Sequence, residues 1–286
     1  MTGVSLREYR TLLRGATGRA DSPVLMELLT SAPWPKEALQ LVGDAVLVVV
    51  ASGASEASVL ARRCVAALGQ RGWEGDDELA AALAAAGGDG PTPMLRPVPV
   101  DLEELASVLE GDPVRGGGRI DLRTGEVWPH SVFDDVTDDE EEDDDEDNSR
   151  WLWVDPQGSR EGYRDMELST DTVDDPALVD RLTIVIAGRG AFRRFKDVIA
   201  GDPSAGERWY TLSEDRLRGR ARAWLAAQGY TPTRAQVRLK PATTATRRLI
   251  VDGLYRRTSC IHRTYRSTWG RWAANGSRAR SSHQVM

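Results

Sequence analysis

The chain has 286 residues, of which 41% are hydrophobic and 28% charged, so it is long enough for one large domain or two smaller ones with a core. No stretch approaches 18 consecutive apolar residues and the N-terminus lacks the pattern of a signal peptide. These features exclude a membrane-spanning protein and predict a cytoplasmic one. Cys64 and Cys260 lie far apart, which excludes a disulfide scaffold and a zinc site made of cysteines.

The net charge of −7 combines two segments of opposite sign. Twelve of the 14 residues from 134 to 147 are Asp or Glu, and their mutual repulsion predicts a disordered acidic loop over 134–149. A solubilising role is expected for this loop; metal binding and mimicry of a nucleic-acid backbone are the alternatives. Residues 231–286 contain 12 Lys or Arg and one acid, and we hypothesise a disordered basic tail that arose as a frame-shifted extension.

The first 90 residues are predicted to form a helical segment. Residues 46–50 are β-branched, but their surroundings favour a buried helix. Ser55 is expected to cap a helix from Glu56 to Leu68 that Gly69 ends. Four prolines between 91 and 99 block a helix, so residues 91–100 are predicted to be an extended linker and the main domain boundary.

A small antiparallel sheet is predicted after this linker. Asp101 is expected to cap a helix from Leu102 to Glu110. Apolar and polar residues alternate around Ile120, and Thr124-Gly125 supplies a turn, which together predict a β-hairpin. The segment 151–154 is typical of a strand and would add a third one. The predicted fold class is therefore α+β, mostly helical, with a hairpin or three-stranded sheet packed on helices.

The remainder up to Tyr230 is predicted to be helical. Helices are expected from Gly162, from Pro176 to Ile186, from Ala191 to Ala200, and from Ser213, which is interpreted as an N-cap. One core is expected to unite apolar side chains of the last two helices, namely Phe192, Phe195, Ile199, Leu217, Trp224 and Leu225.

Three motifs of this middle part carry a resemblance to a known family. They are GRIDLRTGEV at 118–127, EGYRDME at 161–167 and GRGAFRRFKD at 188–197, followed by Trp209-Tyr210 and the Arg-rich helix. Over roughly residues 101–230 the chain resembles uncharacterised protein family 0158 of the UPF series. The resemblance implies a shared domain but neither an activity nor catalytic residues. The chain departs from the family pattern at 168–172, which weakens the predicted helix there.

No catalytic constellation is predicted. The apolar run before Gly188 and Gly190 imitates a dinucleotide-binding motif, but Arg193 occupies the position of the third glycine, and two helices joined at the glycines are favoured. Asp165 and Glu167 diverge on a helix and are not expected to share a proton or a metal ion. We therefore predict no catalytic, cofactor or metal site, and an enzyme is the least favoured class.

A basic cluster is the feature that favours a function. Guanidinium groups bind phosphates and carboxylates bidentately, so an amphipathic helix that carries them outside predicts an anion- or partner-binding surface. A solvated face, or internal pairing with Asp165, Glu167 or Asp197, is the other interpretation. The candidate residues are Arg189, Arg193, Arg194 and Lys196, extended by Arg216 and Arg220 if the two helices pack side by side.

The predicted function is a non-catalytic cytoplasmic protein-interaction or regulatory module, since the predicted domain has a core but no catalytic constellation. The alternative is a nucleic-acid-binding protein whose Arg-rich helices contact the phosphate backbone. A membrane partner and a cofactor are not expected. The identity of the partner and the oligomeric state stay open at this point.

Overall fold

A computed structural model describes residues 5–111, 116–130, 148–158 and 160–233. The predicted acidic loop, apart from its last two residues, and the predicted tail after residue 233 lie outside these ranges. The chain divides into two units: residues 1–173 with 202–236, and residues 174–201 with 237–286. The proline-rich segment lies within the first of these units. No helix within the described ranges is long and apolar enough to cross a membrane.

The N-terminal part of the first unit is helical, as predicted. Its first hydrophobic cluster is built from the buried faces of all five helices, with Leu13, Leu25, Val46 and Leu79 fully buried. The helices are α1 (Leu6–Arg19), α2 (Ser22–Ser31), α3 (Leu39–Ala51), α4 (Ala57–Arg71) and α5 (Asp76–Gly87).

Three details of these N-terminal helices can be compared with what the sequence indicated. The segment 46–50 is helical within α3, which confirms the prediction for its β-branched residues. Gly69 does not end α4; the helix continues to Arg71, and Gly72 ends it with a left-handed backbone (φ 64°). Cys64 lies fully buried in the cluster, and burial raises the pKa of its thiol to about 12. Cys64 is therefore a core residue.

The proline-rich segment contains a strand. β1 (Arg96–Val98) pairs in parallel with β5 (Tyr230–Pro232), so that Arg96 lies opposite Tyr230. Val98 is buried in the second hydrophobic cluster. The extended backbone that the prolines impose is thus used for strand pairing with a segment more than 130 residues away.

The predicted three-stranded sheet is confirmed. The helix α6 (Leu102–Leu109) begins at the predicted cap, Asp101, whose carboxylate accepts a hydrogen bond from the Glu103 amide. The strands β2 (Gly118–Asp121), β3 (Val127–Pro129) and β4 (Trp151–Val154) form an antiparallel sheet in the order β3-β2-β4. Ile120 on the central strand is fully buried, so one face of this sheet covers the second cluster.

A buried carboxylate ties the end of this sheet together. Asp121 accepts hydrogen bonds from the Arg150 guanidinium (2.6 Å) and from the Arg123 backbone amide (2.9 Å). Burial acts to raise the pKa of Asp121, but these hydrogen bonds and the Arg150 charge outweigh it and hold the pKa below its ordinary value. Asp121 therefore stabilises the sheet in its ionised form.

The longest helix of the described residues crosses the first unit. α10 (Pro203–Ala227) begins at Asp202-Pro203, with Asp202 as a side-chain N-cap, so Ser213 lies inside the helix and its interpretation as an N-cap is wrong. α7 (Arg160–Thr170) extends into the segment where the sequence predicted weakening. Leu217 and Leu225 of α10 belong to the second cluster, which Trp224 joins only partly buried.

In the second unit, the described residues form a helical hairpin. α8 (Pro176–Ile186) has the predicted bounds, and α9 (Ala191–Ile199) ends one residue before its predicted end. The two helices pack against each other, and Phe195 and Ile199 are buried while Phe192 is half-buried. Leu217 and Leu225 belong to the second cluster, in the first unit, and their union with the α9 residues in one core stays a prediction.

Candidate functional site

The predicted basic residues of α9 lie on its outer face. Arg189, Arg193 and Arg194 are exposed, and Lys196 is half-buried. Arg193 has a carboxylate neighbour on the same helix, Asp197, at 3.9 Å; both side chains are largely solvent-exposed, so this pair contributes little. We call these four basic side chains the α9 basic face. Arg193, Arg194 and Lys196 lie on α9 itself, whereas Arg189 lies in the turn that precedes this helix.

Two glycines shape the turn that precedes this face. Gly190 adopts a left-handed backbone (φ 69°) and is the N-cap of α9, without a side-chain cap. A Cβ on Gly188 would lie 2.6 Å from Nη1 of Arg194, so the glycine leaves room for that guanidinium group. Because residues 182–186 belong to helix α8 rather than a strand, the dinucleotide-binding interpretation is excluded and the favoured two-helix interpretation is confirmed.

Arg216 and Arg220 lie elsewhere than predicted. Both are buried, with 8% and 5% of their surface exposed, and both bind the fully buried carboxylate of Asp165 on α7. Nε of Arg216 donates to Asp165 at 2.9 Å, and Nη1 of Arg220 donates at 3.0 Å. The expectation that these two guanidinium groups extend an outer patch is therefore wrong. Both pair with an internal carboxylate, as the alternative interpretation of the sequence predicted.

Two glutamates complete this cluster. Oε2 of Glu161 lies 3.7 Å from Arg216, and Oε1 of Glu110 lies 3.6 Å from Arg220. These distances exceed those of hydrogen bonds, so Asp165 is the principal partner of both arginines. The cluster joins α6, α7 and α10 through charge rather than through apolar contact alone.

The other arginines of α10 bind the N-terminal helices. Arg218 and Arg222 both donate to the carboxylate of Asp44 on α3, at 2.8 and 2.6 Å. Nε of Arg222 also donates to Oε1 of Gln40 at 2.9 Å, within the core. These ion pairs thus hold α10 against α3.

Asp215 forms another buried carboxylate centre. It accepts from Arg71 Nη1 at 2.6 Å and from the backbone amide of Gln40 at 2.9 Å. Since no side chain near the start of α3 caps that helix, Asp215 supplies the cap from a position 175 residues away. Asp76 holds the other side of Arg71 with two further hydrogen bonds, at 2.6 and 2.9 Å.

Sequence reasoning named Asp165 only as one alternative partner of the arginines, and it missed the centres at Asp44 and Asp215. Their arginines follow one another at alternate positions of α10, which in a sequence is indistinguishable from a solvated helix. Asp165 stands between Arg164 and Met166 with no local sign of burial. Among the residues that the structure describes, no group of three or more His, Cys, Asp or Glu is arranged to hold a metal ion.

Comparison with known proteins gives a match to one family model over part of the chain and no activity. Residues 130–249 match the family model described as "Uncharacterised protein family (UPF0158)", which confirms the resemblance predicted from the sequence. The match begins and ends later than the predicted 101–230, and it includes the α9 basic face and all of the Asp165 cluster except Glu110. No curated protein and no solved structure matches the chain.

Proposed function

We propose that the protein is a non-catalytic cytoplasmic interaction module that binds an acidic protein surface through the α9 basic face. The observation that carries this proposal is a contrast between two sets of arginines. Three arginines of α10, at 216, 220 and 222, are buried and held by Asp165 or Asp44. Arg189, Arg193 and Arg194 are instead exposed. Guanidinium groups placed at the surface bind carboxylates bidentately.

The buried carboxylates support a non-catalytic role. Asp165 and Asp215 are each enclosed by guanidinium groups or backbone amides that occupy their oxygens. A general base needs to reach a substrate proton, and these carboxylates are instead committed to structural partners. Their arrangement explains stability and helix placement without a reaction.

Charge reversal tests the proposal. The full chain carrying Arg193→Glu and Arg194→Glu is compared with wild type for binding of a fluorescent poly-glutamate peptide and for retention of cellular proteins identified by mass spectrometry. The matched control reverses two exposed arginines on other elements, Arg62→Glu and Arg96→Glu, with the same change of net charge. We expect the first variant to weaken peptide binding about tenfold or more and the control to have little effect. Equal loss in both variants would refute the α9 basic face as the binding surface.

Nucleic-acid binding is the second candidate, and the exposure of Arg189, Arg193 and Arg194 favours it as well. They cluster around the start of a helix, where the helix dipole adds to the attraction for phosphate. Titration of duplex DNA and RNA at several salt concentrations measures this directly. Affinity that falls steeply with salt and is lost in the Arg193→Ala/Arg194→Ala variant supports the candidate, and no binding at low salt removes it.

A further inference from the structure

The strand β4 forms one edge of the three-stranded sheet. In the part of the chain that the structure describes, it pairs only with β2, in antiparallel register from Asp121 opposite Trp151 to Gly118 opposite Val154. An edge strand presents backbone N–H and C=O groups along its outer side, and an extended peptide can add to the sheet by pairing with them. The outer side of β4, which we call the β4 edge, is therefore a place where a further strand can bind.

Two indole rings beside this edge lie on the face of the sheet that points away from the core. Side chains alternate along a strand, so Leu152 packs against the second cluster while Trp151 and Trp153 point to the opposite face. The Trp151 ring has the guanidinium carbons of Arg119 and Arg150 at 4.0 and 4.9 Å from its centroid. Trp153 is 63% exposed, and no Lys or Arg that the structure describes stacks on its ring. The surface thus suits cationic side chains, and the ring of Trp153 is open to one.

The charge around the β4 edge favours a basic ligand. The residues of the sheet and its hairpin turn, 118–129 and 150–155, carry three arginines and three carboxylates, so their charges balance. The segment that follows β3 and precedes β4 contains 12 acids and no Lys or Arg over residues 134–147. Because both of its chain connections lead to strands of this sheet, its negative charge is tethered to the sheet and attracts cations there.

We propose that the β4 edge binds an extended peptide of a partner protein that carries Arg or Lys at alternate positions. In a strand added to β4, every second side chain lies on the same face as Trp151 and Trp153, about 5 Å from the residue opposite it. A cationic side chain there stacks on the open ring of Trp153, while the peptide backbone forms ladder hydrogen bonds with β4. The acids at 134–147 speed the encounter with such a ligand.

The sign of the surrounding charge selects among extended ligands. A single-stranded nucleic acid or an acidic peptide meets repulsion from residues 134–147. An uncharged strand gains the ladder hydrogen bonds but neither the attraction to these acids nor a cation over Trp153. The inference goes beyond the proposed function, because it concerns another surface and a partner of the opposite charge.

Fluorescence anisotropy of a labelled peptide of alternating Arg and Thr, titrated with the full chain, tests the inference. We expect binding that weakens with salt and falls at least about threefold in Trp153→Ala, while Trp153→Phe retains most of it. The same peptide with N-methylated backbone amides keeps its charge but cannot donate ladder hydrogen bonds, so it should bind at least about tenfold more weakly. The matched control is Tyr210→Ala, which removes an exposed aromatic ring from α10. Far-UV circular dichroism verifies that each variant is folded.

Three results would overturn the inference: no binding at low salt, equal affinity in wild type and Trp153→Ala, or equal affinity of the two peptides, which would mean that the acids at 134–147 hold the ligand by charge alone. Tighter binding of a peptide of alternating Glu and Thr, or of oligo(U), would also refute it. The Arg193→Glu/Arg194→Glu variant separates this surface from the α9 basic face. Binding of the Arg peptide that survives this variant but not Trp153→Ala belongs to the β4 edge, whatever the outcome for the proposed function.

Discussion

Removal of the Asp165 carboxylate is the sharpest test of the buried arginine cluster. Asp165→Ala deletes hydrogen bonds of 2.9 and 3.0 Å to Arg216 and Arg220 and leaves both guanidinium groups in the core. Breaking a buried ion pair by removing one partner costs about 3–5 kcal/mol. Glu161 and Glu110 remain nearby at 3.7 and 3.6 Å and offset part of this loss, which places the expected destabilisation near 3 kcal/mol.

Urea unfolding of the full chain, followed by far-UV circular dichroism, measures this loss as a shift of midpoint at unchanged slope. The control is Asp197→Ala, which removes an exposed carboxylate 3.9 Å from Arg193 and should cost less than about 0.5 kcal/mol. Asp165→Asn keeps the side-chain volume and removes the charge, so it should lose most of the same free energy. If Asp165→Ala and Asp197→Ala unfold at the same urea concentration, the reasoning about the cluster is refuted.

Three further changes are predicted. Gly219→Ala should destabilise by about 1–3 kcal/mol in the same urea assay, because a Cβ there would overlap the backbone carbonyl of Glu74; a stabilised variant would contradict this close approach. Asp121→Asn should be less stable than wild type at pH 7, and this difference should shrink as pH falls below about 4, since the lowered pKa of Asp121 stabilises only the ionised form; a difference independent of pH would exclude that cause. Cys64, in a Cys260→Ser background, should react with a thiol reagent only after unfolding, and rapid labelling of the native chain would show that it is not buried.

Local signals in the sequence were sufficient where an element is defined by its own residues. α8 has the predicted bounds because Asp175 and Pro176 start it with a side-chain cap and a proline in the first turn. The hairpin and the third strand follow from alternation and a Thr-Gly turn. The outward placement of Arg193 and Arg194 likewise depends only on the period of one helix.

Other features depend on partners that are distant in sequence. The start of α10 was placed eleven residues too late, because Ser213 matches an N-cap pattern although Asp202 caps the helix. The pairing of β1 with β5 joins two short segments that lack a strand pattern of their own. Arg216 and Arg220 are buried because Asp165, more than 50 residues earlier, lies against them, and no local pattern carries that information.

The ion pairs and hydrogen bonds that hold α10 against α3 have a consequence for fragments of this chain. Arg218 and Arg222 of α10 bind Asp44, and Asp215 of α10 caps α3. Residues within the matched segment therefore have their ion-pair and hydrogen-bond partners in the N-terminal helices. A fragment limited to 130–249 would carry these charges without their counterions. We therefore expect α10 and the N-terminal helices to unfold together in the full chain, because loss of either side leaves charged groups without their partners.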